Sequence, residues 1–145
     1  MDWLYSQELR DKARDGGLLL LRLCIGSMML FGHGWGKLAN FSEVVPKFPG
    51  LFGMSPSLAL AMAIGAEVGC SALLMLGAAT RLAAIPLAFT MLVAVLVVHG
   101  GDPWAKKEFA LLYLVPALTL LLTGAGRWSV DAALWPRIEE KLKAR

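Results

Sequence analysis

Apolar residues run in four long blocks, at about 17–38, 57–79, 82–99 and 108–124, and none shows the strict alternation of a half-buried strand. About 20 residues at about 1.5 Å rise cross the hydrocarbon of a bilayer. Each block therefore predicts a transmembrane helix. Short links make successive spans antiparallel, so residues 1–145 predict one all-α polytopic membrane domain, an antiparallel four-helix bundle. Open sheets are excluded, because lipid cannot satisfy their edges.

The punctuation between blocks fits that outline. Residues 2–15 place Trp3, Leu4, Tyr5 and Leu9 among charges, which predicts a short surface helix that Gly16-Gly17 separates from the first span. The Pro/Gly-rich connection at 40–57 ends on Ser55-Pro56, a capping hydroxyl followed by a proline suited to the first helical position. Thr80-Arg81 predicts a very tight link, and Gly100-Gly101-Asp102-Pro103 breaks the third helix. Pro86 and Pro116 fall inside spans, where a bundle tolerates them.

Composition sharpens the picture. The chain is 57% hydrophobic and only 17% charged, against about a quarter charged in soluble domains. The net charge of +3 resides mainly at the termini, with no basic stripe of interleaved aromatics. Nucleic-acid binding is therefore not expected; the lipid bilayer is the expected partner. Arg22 interrupts the first apolar run and no cleavage signal follows it, so the run reads as a retained helix rather than a signal peptide. Arg10, Lys12, Arg14, Arg81, Arg127, Arg137, Lys141, Lys143 and Arg145 fall on one side of the predicted topology, and chiefly Lys47, Lys106 and Lys107 on the other. The positive-inside bias then places both termini in the cytoplasm of a multi-pass cell (inner) membrane protein.

Candidate chemistry lies on the inward faces. Arg22, Gly26, Met29, His33 and Lys37 recur at helical spacing, and a charge facing lipid is costly, so this face is expected to point inward. Glu67 sits mid-span between Gly65 and Gly69, about 15 Å from the outer side. His33, Lys37, His99 and Glu108 fall near the outer helix ends, which predicts a polar outer half with Glu67 as its floor. Plainer readings stand beside these. The lysines could snorkel to headgroups, the histidines could be interfacial, and Glu67 could form a structural ion pair with Arg22 or Lys37. Cys24 and Cys70 lie inside apolar runs without a CxxC, and read as packing residues. Two histidines on different helices are too weak a pattern to assign a metal site.

Taken together the pattern resembles the DoxX family of small membrane proteins, which is related to the DoxD subunit of thiosulfate:quinone oxidoreductases. The matching residues are Arg22, Gly26, Gly34 and Lys37; Glu67, Gly69, Gly77 and the run from Thr80 to Ala84; and the run from Glu108 to Tyr113 with Gly124, Gly126, Ser129 and Asp131. The resemblance covers about residues 17–131. It implies a four-helix inner-membrane protein linked to redox chemistry and quinone-associated, with a DoxD-type enzyme needing a second subunit.

The expected function is a redox-associated module, the membrane subunit of a quinone-linked oxidoreductase. It would bind a quinone or similar ligand in the outer half of the bundle. Glu67, His33 and Lys37 are the expected catalytic residues, with Arg22, His99, Glu108, Tyr113 and Trp35 binding the ligand. No flavin, haem or iron–sulfur motif is visible, so electrons would come from a redox-protein partner. A non-catalytic scaffold that recruits redox or stress proteins, a small proton-coupled transporter using Glu67, and a homo-oligomer are the alternatives kept open.

Overall fold

The computed structural model describes the backbone of residues 6–143 and their side chains except Trp135 and residues 137–142. The expectations for Trp3, Leu4 and Tyr5 lie outside the described residues, as do those for Arg145 and for the side chains of Arg137 and Lys141.

Among the described residues the regular structure is all helical. It comprises α1 (Gln7–Ala39), α2 (Phe41–Val44), α3 (Pro56–Leu76), α4 (Thr80–Val98), α5 (Trp104–Thr123) and α6 (Val130–Lys143). Three of them, α1, α3 and α4, are long and apolar enough to cross a membrane. The 20-residue α5 is as long but carries Lys106, Lys107 and Glu108 in its first turns. Leu74, Leu87 and Leu120 are fully buried, whereas Leu82, Phe89, Leu96, Phe109 and Leu122 point outward. A water-facing helix turns polar residues outward; apolar residues on both faces suit a lipid solvent. Ala83, Ala84 and Ala88 of α4 share the core with Ala110 and Ala117 of α5, small residues that let the two helices pack closely.

Two sequence expectations need correction here. Gly16-Gly17 does not break the chain, because α1 is helical from Gln7 through both glycines. A helical glycine costs about 1 kcal/mol relative to alanine. The long helix carries that cost without a packing demand for glycine: a Cβ would meet the Trp128 ring at an ordinary 3.5 Å at Gly16 and open space at Gly17. The link before α4 is Gly77-Ala78-Ala79 rather than Thr80-Arg81, since Thr80 already opens the helix. Gly77 takes φ +67, and Ala78 N–H donates to the Leu73 carbonyl at 2.9 Å, closing α3. Ser55 caps α3 as its spacing implies, accepting from Leu58 N at 3.3 Å, with Pro56 first in the helix.

Each long apolar helix also contains a π-helical turn: Leu30–Gly34 in α1, Gly65–Cys70 in α3 and Ala94–Val98 in α4. A π turn inserts an extra residue and rotates the downstream residues relative to an α-helical count. On α1 the buried positions run Arg22, Gly26, Met29 and then Gly34, a step of five. Gly34 thereby takes the most buried position, and His33 beside it is exposed, with only its ring against the core residue Tyr113.

Candidate functional site

Two polar regions occupy opposite ends of the helices. At the end that carries Asp15 and the link between α5 and α6, here the terminal end, Arg22 is completely buried. Its guanidinium donates to the carbonyls of Leu74 (3.2 Å), Met75 (3.1 Å) and Trp128 (2.7 Å). The first two are carbonyls of the last turn of α3, of which Leu74 also accepts from Gly77 N at 3.1 Å, so Arg22 supplies a cation where the helix dipole is negative. Gly77 is the reason it fits: a Cβ there would collide with the guanidinium. Asp131, from α6, accepts from Ala79 N at 2.6 Å and Thr80 N at 2.9 Å and so caps α4 from across the chain. Asp15 is buried and accepts from Arg127 N at 3.2 Å. Two open grooves of about 440 and 470 Å³ lie here, but Asp131 lines the first and Asp15 the second, each already holding backbone N–H groups.

The opposite end holds a cavity of about 370 Å³ between α3 and α4, covered by the 48–54 connection. Met62, Phe89 and Val93 are among its apolar walls, and Lys37, Glu67 and His99 contribute the ionisable side chains. Glu67 is only 3% exposed. Lys37 Nζ donates to Glu67 Oε1. Glu67 Oε2 is buried without a hydrogen-bond partner. Glu67 rides on the π turn of α3, and the π turn of α1 packs against it at Gly34. A Cβ at Gly34 would sit 2.7 Å from Val68 Cγ2 and 3.0 Å from the Glu67 carbonyl carbon. Only glycine permits that approach, which brings Lys37, three residues on, within reach of Glu67.

His99 ends the cavity wall just beyond the π turn of α4. Its Nδ1 lies 2.8 Å from Asp102 Oδ2, and both side chains are one-third exposed. Lys106 Nζ approaches the same carboxylate oxygen at 3.4 Å. The His99 hydrogen bond, with help from Lys106, holds the Asp102 carboxyl below the usual carboxylate range. Lys107 Nζ donates to the Gly100 carbonyl at 2.7 Å and fastens the same turn to α5.

The structure thus brings Lys37, Glu67 and His99 to one cavity and leaves the other sequence candidates elsewhere. Arg22 is occupied by carbonyls at the far end, and of the two candidate cations for Glu67 it is Lys37 that pairs. His33 packs edge-on against Tyr113 with ring centroids 5.2 Å apart, and neither lines the cavity. Trp35 is exposed on α1, and Glu108 is exposed on α5. Cys24 and Cys70 are free thiols. Asp15 and the capping role of Asp131 escaped sequence reading: their partners are backbone amides more than 50 residues away.

The model of the DoxX family matches residues 17–100, which include α3, α4 and all three cavity ionisable groups. A protein of Bacillus subtilis (strain 168) described as "Putative oxidoreductase CatD" is 30% identical over 122 residues, spanning 83% of this chain and 89% of the relative. No solved structure matches the chain.

Proposed function

This chain belongs to the DoxX family, and on that footing we propose that it is a redox-associated membrane module that binds a quinone, or a ligand of similar flat, two-carbonyl chemistry, in the Lys37–Glu67 cavity. In this reading α5 crosses the bilayer with α1, α3 and α4 as an antiparallel four-helix bundle. The terminal end faces the cytoplasm across the inner membrane, in keeping with the Lys/Arg bias.

One observation carries the proposal: a buried carboxylate with one oxygen on a lysine and the other without a partner, beside an apolar cavity. Buried polar atoms are rarely left unsatisfied, and unpaired ones call for a ligand or water. A quinone head group offers an apolar ring for Met62 and Phe89 and carbonyl oxygens for Lys37 and His99, and its reduced form offers a hydroxyl that can donate to Glu67 Oε2. Electrons would come from a redox-protein partner, and Glu67 would exchange protons with the ligand. The relative's description as an oxidoreductase is consistent with such a role.

Gentle purification with native lipid, solvent extraction and mass spectrometry test this directly. Near-stoichiometric quinone in the wild type and its loss in Glu67→Gln is the expected result. Phospholipid alone in both would overturn it and favour a scaffold.

A further inference from the structure

We propose that Asp102 is a positioning residue that fixes His99 as the outer hydrogen-bonding pole of the cavity, so that His99 discriminates between oxidised and reduced ligand by its protonation. This rests on the quinone reading above and extends it to a residue outside the cavity.

The geometry supplies the reason. His99 lines the cavity and its Nδ1 lies 2.8 Å from the Asp102 carboxylate. An ionised carboxylate only accepts, so Nδ1 must carry the hydrogen that Asp102 receives. Nε2 is then the ring's remaining polar atom. In neutral His99 it is an acceptor, suited to a hydroquinone hydroxyl. In the imidazolium it is a donor, suited to a quinone carbonyl oxygen. Asp102 is carried by the Gly100–Pro103 turn, which Lys107 fastens to α5 through the Gly100 carbonyl. The other charges facing this pole are Lys106 on α5, which shares Asp102 Oδ2 at 3.4 Å, and Lys37 and Glu67 across the cavity, which neutralise each other. The second carbonyl of the ligand falls to that pair.

The consequence is a pH-dependent preference: oxidised ligand is favoured when His99 is protonated, reduced ligand when it is neutral. Asp102 fixes the ring orientation and the Nδ1 hydrogen on which that preference depends.

The test uses the full chain in lipid nanodiscs with a one-isoprene ubiquinone and its hydroquinone as probes, the latter under anaerobic conditions. Both affinities are measured from about pH 5.5 to 8.5, a range that brackets the ordinary histidine pKa. Wild type is expected to change its oxidised-to-reduced affinity ratio by about tenfold or more across that range, as a gained or lost charged hydrogen bond implies. Asp102→Asn is expected to reduce that change at least severalfold, because an amide can donate as well as accept and no longer fixes the hydrogen on Nδ1. Asp102→Glu restores it, and His99→Gln abolishes the dependence. A wild-type profile that persists unchanged in Asp102→Asn overturns the inference while leaving quinone binding intact. A wild type that binds neither probe overturns the quinone reading and this inference with it.

Discussion

Arg22 and Glu67 are both buried ionisable groups in apolar helices, and their surroundings differ in kind. Three backbone carbonyls surround the Arg22 guanidinium, and a glycine clears the space it fills. Glu67 has one side-chain partner, an unpaired oxygen and an adjoining cavity. At the terminal end the charged groups largely complete the chain's own helix ends; Arg22 Nε is buried without a partner as well, but Arg22 lines none of the three cavities described. At the cavity end the ionisable groups hold one another and still have capacity to offer. A charge in a membrane span is therefore not by itself a sign of function; what it is bonded to decides.

The sharpest way to break this contrast is at Arg22. Arg22→Gln removes the charge and most of the reach, taking the side-chain donor away from the carbonyls of Met75 and Trp128. Each buried carbonyl that loses its partner costs about 1–3 kcal/mol, so the melting temperature and folded yield should fall further than for any variant on the cavity side. Glu67→Gln should instead lower quinone content at least about tenfold, the worth of a charged hydrogen bond, with a small change in melting temperature. The partly exposed Lys37 can reach water when its partner is neutralised. If Glu67→Gln destabilises as much as Arg22→Gln and Lys37→Gln rescues it, the pair is structural and the contrast fails.

Gly34→Leu sharpens the comparison from the backbone side. Its side chain would enter the space of Val68 and the Glu67 backbone, separating α1 from α3. Overpacking costs about 1–3 kcal/mol, and ligand content should fall with it because Lys37 is withdrawn. Asp131→Ala tests the terminal end more gently. It removes the cap of α4, worth about 1 kcal/mol, and should leave ligand content unchanged.

The smallest expected effect is acid sensitivity at Asp102. Its carboxyl is depressed in the folded chain. The stability it contributes is therefore full above the ordinary carboxylate pKa and is lost as pH falls through the lower folded value. Melting curves taken downward from about pH 6, above the ordinary carboxylate range, should show a shallow acid-side decline that Asp102→Asn flattens.

Much of the frame is legible in the sequence because it depends on local chemistry. Apolar blocks of span length, Ser55-Pro56 as a helix start, and the Gly100–Pro103 break all act through residues adjacent in the chain. The same holds for the demand that Arg22 and Glu67 avoid lipid, and both are buried. α5 shows the limit: its apolar block is legible, but Lys106, Lys107 and Glu108 leave its crossing a matter of packing.

What the tertiary structure decided is register and partnership. An α-helical count puts His33 on the inward face; the π turn steps from Met29 to Gly34 and gives Gly34 the buried position instead. Counting rise leaves Arg22 and Lys37 as comparable partners for Glu67, and the close approach at Gly34 selects Lys37. Asp15 reads as an ordinary terminal acid, and Asp131 only as a position that matches the family pattern, until the fold brings backbone amides to them. The physical reason is common to all of these. Burial and helix type derive from the properties of nearby residues, whereas hydrogen-bond partners depend on distances of a few tenths of an ångström between segments that only packing brings together.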